Sequence, residues 1–216
     1  MVRKQVFSAA DVVRAGIAVV DAEGWDQLSA RKVAENLGSS TAPVYSNFTN
    51  MSELASAVVN EAVRLFMAET QKPKSGHPFL DFGLGVLDFA LAHPRWYQAL
   101  FREVQLTEEQ HQELVTSMVG VMTDTPDLGT LTEFERNLVL KKMSIFTHGL
   151  ASEICSGSCD ELSRRDMRLL MEEVGEAVME DARRRAPRTA EETGLFGSWQ
   201  NCCEPPNDTG NDDNDD

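Results

Sequence analysis

The stretch from Leu28 to Phe48, LSARKVAENLGSSTAPVYSNF, constrains this chain more than any other, because it reads as two short helices joined by a tight turn. Leu28, Val33, Ala34 and Leu37 supply the apolar side of the first. Val44 and Phe48, four apart, face inward from the second. Ser29 can cap the first helix, since its hydroxyl accepts from an otherwise unpaired backbone N–H. Gly38 ends it, where a residue without Cβ turns the chain cheaply. Ser40 is the expected cap of the second, with Thr41, Ala42 and Pro43 in the first turn, where proline's missing N–H costs least. Two short helices at a steep angle fit a helix-turn-helix, whose second helix enters the major groove with its N-terminal residues at base edges. A helix–glycine–helix pattern is common among helical proteins, so the flanks must decide.

Before the motif, Ser8 and Asp11 form a capping box, and Ala10, Val13, Ile17 and Val20 recur at helical spacing. Gly24 stops this bracing helix, and Trp25 and Leu28 fold the connection back onto it. After Phe48, Ser52 is the expected cap of a helix striped by Leu54, Val58, Ala62, Leu65 and Phe66. That helix fades at the polar break Lys72-Pro73-Lys74-Ser75-Gly76. Phe79 to Leu91 is apolar on nearly every side, as in a central, buried helix. Pro94 ends it, and a short aromatic helix covers Arg95 to Phe101. Thr107 and Gln110 box the next helix, striped by Leu114, Val115, Met118 and Met122, and Thr125 to Gly129 is a loop.

Two longer helices follow. Val139, Met143, Phe146, Leu150 and Ile154 line one face of the first, with Leu138, Ile145 and Gly149 on a neighbouring face, so it has two things to pack against. Met167, Leu170, Met171, Val174 and Val178 line the second, and Arg183, Arg184 and Arg185 suit its C-terminal dipole. No alternating, β-branched segment of useful length appears, so the fold class is all-α. The expected division is a helix-turn-helix head over residues 1–50, a helical domain over 51–187, and an acidic, disordered tail over 188–216.

With 216 residues and 42% apolar content, the chain can bury a sizeable core. No run approaches the roughly 20 apolar residues of a membrane span. The N-terminus turns polar too soon for a signal peptide, so a cytoplasmic protein without membrane partners is expected. The net charge of −15 argues against diffuse attachment to nucleic acid, whose non-specific part comes from cations on phosphates. Charge is nevertheless segregated: Arg3, Lys4, Arg14, Arg31 and Lys32 lie early, while aspartates load the tail. A DNA binder of this kind is salt-sensitive and selective rather than sticky.

No nucleophile–base pair, phosphate loop or metal triad stands out, so neither a catalytic site nor a cofactor is expected. Cys155 and Cys159, four apart near the turn between the long helices, are a candidate thiol pair for oxidants or a soft metal, although Gly157 between them leaves their geometry open. Cys202 and Cys203 lie in the tail. His93 and His148 are each more often satisfied core histidines than ligand contacts. Phe82, Phe89, Trp96, Tyr97, Phe101, Met118, Met122 and Phe146 are, one by one, core residues in the plainest reading. Together, an aromatic and Met-rich interior suits an adaptable apolar pocket.

Over Phe7 to Leu54 the sequence resembles the TetR-type transcriptional regulators. The matching features are Ala9-Ala10, Glu23-Gly24, Ser29, Val33-Ala34, Gly38 and Tyr45-Ser46-Asn47-Phe48, followed by Glu53-Leu54. Farther on, the likeness is one of layout plus His148-Gly149-Leu150. The resemblance implies a helix-turn-helix head followed by a helical ligand-binding and dimerisation domain. It also implies a homodimer through the Phe134–Ile154 and Leu162–Arg185 helices, bound to double-stranded operator DNA and released by a partly apolar small molecule. On the matching positions, the DNA-facing set is Ser29, Arg31, Ser40, Thr41, Ala42, Pro43, Tyr45, Ser46 and Asn47. The ligand-facing set is Phe82, Val86, Phe89, His93, Trp96, Tyr97, Phe101, Met118, Met122, Met143 and Phe146. The sequence departs from the family at Met51, where a phosphate-touching lysine is usual, and at Ser39, where a small aliphatic is usual. Three readings therefore stand: a ligand-released repressor (or an activator of the same build), a helical ligand-binding or interaction protein whose head no longer binds DNA, and a thiol- or metal-sensing regulator using Cys155 and Cys159.

Overall fold

The computed structural model describes residues 7–184 except 105, 124 and 160, and the side chains of all but 111, 113, 115, 119, 122, 123, 126 and 127 among them. The expected tail, Cys202, Cys203, Arg185, Arg3, Lys4 and the Met122 side chain lie outside that set. Every regular element among the described residues is helical: α1 (Ala9–Glu23), α2 (Ala30–Asn36), α3 (Ala42–Asn47), α4 (Met51–Thr70), α5 (Pro78–Ala92), α6 (Pro94–Gln98), α7 (Glu108–Thr123), α8 (Glu133–Ser156) and α9 (Arg164–Arg184). None of them is long and apolar enough to cross a membrane.

The head is built as its capping chemistry dictates. Ser8 and Asp11 form the expected box, with the Ser8 N–H donating to the Asp11 carboxylate at 2.8 Å and the Asp11 N–H to Ser8 Oγ at 3.2 Å. Gly24 turns the chain at φ 99°. Ser29 Oγ accepts from the Lys32 N–H at 3.4 Å. At the end of α2, Gly38 sits at φ 63°, its N–H donating to Glu35 O and that of Ser39 to Ala34 O, so two orphan carbonyls are satisfied together.

The buried face of α1 is rotated from the one the spacing suggests and shares only Val20 with it. Val12, Ala15, Gly16, Val19 and Val20 are buried, Val13 and Ile17 only half-buried, and Ala10 is exposed. The reason is that α1 packs against α2 and α3 on one side and against α4 and α6 on the other. Gly16 meets α4 so closely that an added Cβ would lie 2.6 Å from Val58 Cγ2. Two expected caps also differ. Thr41 takes the N-cap position of α3, while Ser40 Oγ accepts from the Ala42 N–H at 3.4 Å. Asn50, not Ser52, caps α4, accepting from the Glu53 N–H at 2.9 Å; it is the last non-helical residue and so the one whose side chain reaches the orphan donors.

In the body, α5 is central and packs on α4, α7, α8 and α9. Its glycines allow this crowding. A Cβ on Gly85 would sit 2.5 Å from Thr70 Cα, and one on Gly83 would sit 2.4 Å from Met171 Cε. Asp81, buried near the start of α5, clamps the 71–77 connection by accepting from the backbone N–H groups of Lys74 (3.0 Å) and Ser75 (2.6 Å) and from the Ser75 hydroxyl. The short aromatic helix resolves into α6 and a wider π-type turn over Ala99–Glu103. A 3₁₀ turn over Pro126–Thr130 stands where a plain loop was expected. The sequence also carries two boxes that its periodicity does not reveal: Thr132 with Glu135 opens α8, and Ser163 with Asp166 opens α9.

Candidate functional site: an exposed helix and an apolar cavity

Two surfaces carry the residues singled out by the sequence. The first is the exposed side of α2 and α3. Val44 and Phe48 are buried and hold α3 against α1, which leaves Thr41, Ala42, Tyr45 and Ser46 exposed and Pro43 half-buried. Tyr45 is 56% exposed, so it does not serve as a core brace. Ser46 Oγ donates to Pro43 O at 3.0 Å. Asn47 is more constrained: its amide donates to Pro43 O at 2.8 Å and to Phe7 O at 3.1 Å, tying α3 to the start of α1. Ser29 is engaged as the α2 cap. Arg31 pairs with Glu35 at 2.9 Å on an open surface, a pair of small net worth that a phosphate can replace. Lys32 is held by Glu23 and Gln27. Met51 is partly buried against the core.

The second surface is a partly open cavity of about 100 Å³ between α4, α5, the π-type turn, α7, α8 and α9. From the expected ligand-facing set it is lined by Phe82, Val86, Phe101, Met118 and Met143. Phe66, Phe79, Leu80, Leu114, Leu140, Ser144, Thr147, His148 and Met171 also line it, with Gly83 and Gly175. No carboxylate, lysine or arginine appears among these lining residues. Phe89, His93, Trp96, Tyr97 and Phe146 are not among these lining residues, and the Met122 side chain lies outside the described set. Phe89 stacks edge-on against Phe66 at 5.2 Å, behind the cavity wall. Phe146 is a half-buried core residue.

His93 and Trp96 serve the junction between body and head. His93 Nδ1 meets the Asp21 carboxylate at 3.0 Å, the Arg95 guanidinium donates to Asp21 O at 3.2 Å, and the buried Trp96 donates from Nε1 to Ile17 O at 3.1 Å. Trp25 packs edge-on against Trp96, with ring centroids 6.1 Å apart. Thus α6 grips the C-terminal half of α1. Tyr97 and Phe101, on the same segment, point the other way, toward His148. The Tyr97 hydroxyl is hydrogen-bonded to His148 Nδ1, and the Phe101 ring lies 4.8 Å from that imidazole and 5.4 Å from Phe66 on α4. One short segment therefore touches the cavity, α4 and the head.

The electrostatics of the cavity are those of a neutral site. Burial pushes the Tyr97 phenol well above its ordinary value and pulls the His148 imidazole below its own, so both are uncharged at neutral pH. The lining residues at α8 positions 140, 143, 144, 147 and 148 follow a helical row, a pattern readable in sequence once the facing side is known. Cys155 and Cys159 are both free thiols. Cys155 points at Ala90 O, and burial raises its thiol to about 11, which keeps it protonated and a poor nucleophile. No cluster of three or more metal-binding side chains occurs among the described residues.

No protein-family model matches the sequence, and no curated protein does either. Solved structures do match in shape. A TetR-like transcriptional regulator from Rhodococcus sp. RHA1 superposes with a TM-score of 0.55 at 17% identity, over 77% of this chain and 92% of that one. The fatty acid degradation regulator FadR from Bacillus halodurans gives 0.55 at 13% identity, over 85% and 100%. A TetR variant from Acinetobacter baumannii AYE, solved with minocycline, gives 0.51 at 16% identity, over 82% and 94%. Likeness at this identity speaks for architecture, and the architecture is unambiguous: this chain has the fold of the TetR-like transcriptional regulators.

Proposed function

We propose that this chain is a ligand-responsive transcriptional regulator that binds operator DNA as a homodimer. The observation that carries the reading is the exposure of Tyr45 at the centre of a short helix whose other side is fully committed to the core. In a helix-turn-helix, that outward row meets the major groove, and the small first-turn residues Thr41, Ala42 and Pro43 allow close approach to base edges. Arg31 and Ser46 are further exposed side chains that can be offered to phosphate. The regulators of similar fold support the same assignment. Dimerisation is proposed through α8 and α9. Ile145, 61% exposed, shares one α8 row with the exposed Gly149 and Ser152, and Leu169 on α9 is 51% exposed. A large apolar side chain beside small residues that let another backbone come close is suited to a partner surface.

The effector site is the cavity beneath α5, consistent with a neighbour of this fold having been solved with minocycline. Occupancy would displace Phe101 or Phe66, and so α4 and the α6 grip on α1, changing the spacing of the two heads. DNA affinity then falls because both heads must meet half-sites one helical turn apart, or a multiple of it. The reading of a helical protein that no longer binds DNA is favoured by one observation: Met51, in place of the usual phosphate-touching lysine, packs inward. The protonated Cys155 gives the thiol-sensing reading little support. A mobility-shift assay on the DNA upstream of its own gene, at moderate salt, separates the first two. A discrete, competitor-resistant complex supports the regulator, and its absence supports the non-binding protein.

A further inference from the structure

We propose that the cavity selects a compact, uncharged effector carrying a hydrogen-bond acceptor such as a carbonyl, and that the imidazole of His148 supplies the donor from Nε2. This rests on the reading of the cavity as the effector site. The Tyr97 hydroxyl is buried, and its one hydrogen-bond partner among the described residues is His148 Nδ1. A buried phenolic O–H that finds no acceptor is costly, so Tyr97 donates and Nδ1 accepts. A neutral imidazole accepting at Nδ1 must carry its proton at Nε2. That nitrogen has no protein partner among the described residues, while the ring lines the cavity. Tyr97 is thereby a positioning residue that sets the tautomer, and His148 is the group that meets the ligand.

Size and charge narrow the class. An engineered apolar cavity of about 150 Å³ takes benzene, so about 100 Å³ admits a small ring or short branched chain unless Met118, Met143 and Met171 rearrange. Among the described residues the lining holds no lysine or arginine to neutralise an acid, and a buried, unpaired carboxylate is strongly disfavoured.

Two measurements on the full chain test this. In ¹⁵N-histidine-labelled protein at neutral pH, His148 should show a pyridine-type Nδ1 and a pyrrole-type Nε2; in Tyr97→Phe that preference should weaken. A pyrrole-type Nδ1 in the parent overturns the proposal. Titrations with cyclopentanone, methylcyclopentane and butyrate, probes of equal size in non-hydrogen atoms, then read the selectivity. On His148→Phe, cyclopentanone should lose roughly fivefold to tenfold in affinity, methylcyclopentane should change by less than about twofold, and butyrate should bind neither protein. Equal losses for the ketone and the hydrocarbon overturn the acceptor selectivity while leaving the cavity as a ligand site. Tightest binding by butyrate overturns the exclusion of acids. Failure of all three probes to bind the parent overturns both this proposal and the cavity reading. If His148→Phe does not fold, the same comparison in Tyr97→Phe decides: an undiminished ketone affinity there counts against the proposal.

Discussion

Tyr45 and Gly85 mark the two ways a single residue matters in this molecule. Tyr45 has more than half of its surface in solvent, so Tyr45→Ala should leave the melting temperature nearly unchanged while weakening operator binding about tenfold, within the range of one specific contact. Unchanged affinity in a titrated mobility shift would remove Tyr45 from the interface. Gly85 is the opposite case. An alanine Cβ there would meet the backbone of Thr70 and Glu69, which cannot retreat as a flexible side chain can. Gly85→Ala should cost about 1–3 kcal/mol, lowering the melting temperature by roughly 2–12 °C in a thermal scan. A neutral result would mean that α4 and α5 are not in backbone contact. Tyr45 was legible in the sequence as one of the side chains left between the inward pair Val44 and Phe48, at a position the family resemblance assigns to DNA. Gly85 was not, since a glycine within an apolar run gives no sign of which neighbouring helix approaches it.

At the scale of elements, the caps of α1 and α2 and the buried stripe of α4 were legible in the sequence, while the caps of α3 and α4 and the buried side of α1 were not. The Ser8, Ser29 and Gly38 devices are local, so a few adjacent residues determine them. The buried side of α1 depends on α4 and α6, which come much later in the chain. The same holds for α6. His93 and Trp96 look like cavity residues in sequence, yet their polar atoms reach back to Asp21 and Ile17. The Asp81 clamp is closer in sequence, reaching back six and seven residues to Ser75 and Lys74. Burial pushes its carboxyl up, but hydrogen bonds from the Ser75 hydroxyl and from the backbone at Lys74, Ser75 and Gly76 outweigh that and hold it below its ordinary value. Because the folded group protonates at lower pH than the unfolded one, its contribution is complete above the ordinary value and is lost as pH falls through the folded one. Asp81→Asn should therefore lower stability by about 1–3 kcal/mol at neutral pH and flatten the acid limb of the stability curve below about pH 4. Parallel curves for parent and variant, from urea unfolding across that range, would show the clamp to be energetically silent.

For the molecule as a whole, the proposed reading head balances Arg3, Lys4, Arg14, Arg31 and Lys32 against Asp11, Asp21, Glu23, Asp26 and Glu35 on an acidic chain, so on the proposed function its hold on DNA comes from geometry. Arg31 is already paired with Glu35, and Met51 offers no charge. Two heads at fixed separation raise the effective concentration of the second once the first is bound. On the proposed function, the dimer is therefore the quantity on which DNA binding turns. Ile145→Asp places a charge in the middle of the exposed α8 row, and should shift the protein from dimer to monomer in sedimentation without unfolding it. An unchanged sedimentation coefficient would move the interface elsewhere. The most direct test of the central claim is selection from a pool of random duplexes by the intact protein at moderate salt. The expected result is enrichment of a two-fold symmetric site whose half-sites lie about one helical turn apart, or a multiple of it. Failure to enrich any sequence, or enrichment of an isolated half-site alone, would contradict the account.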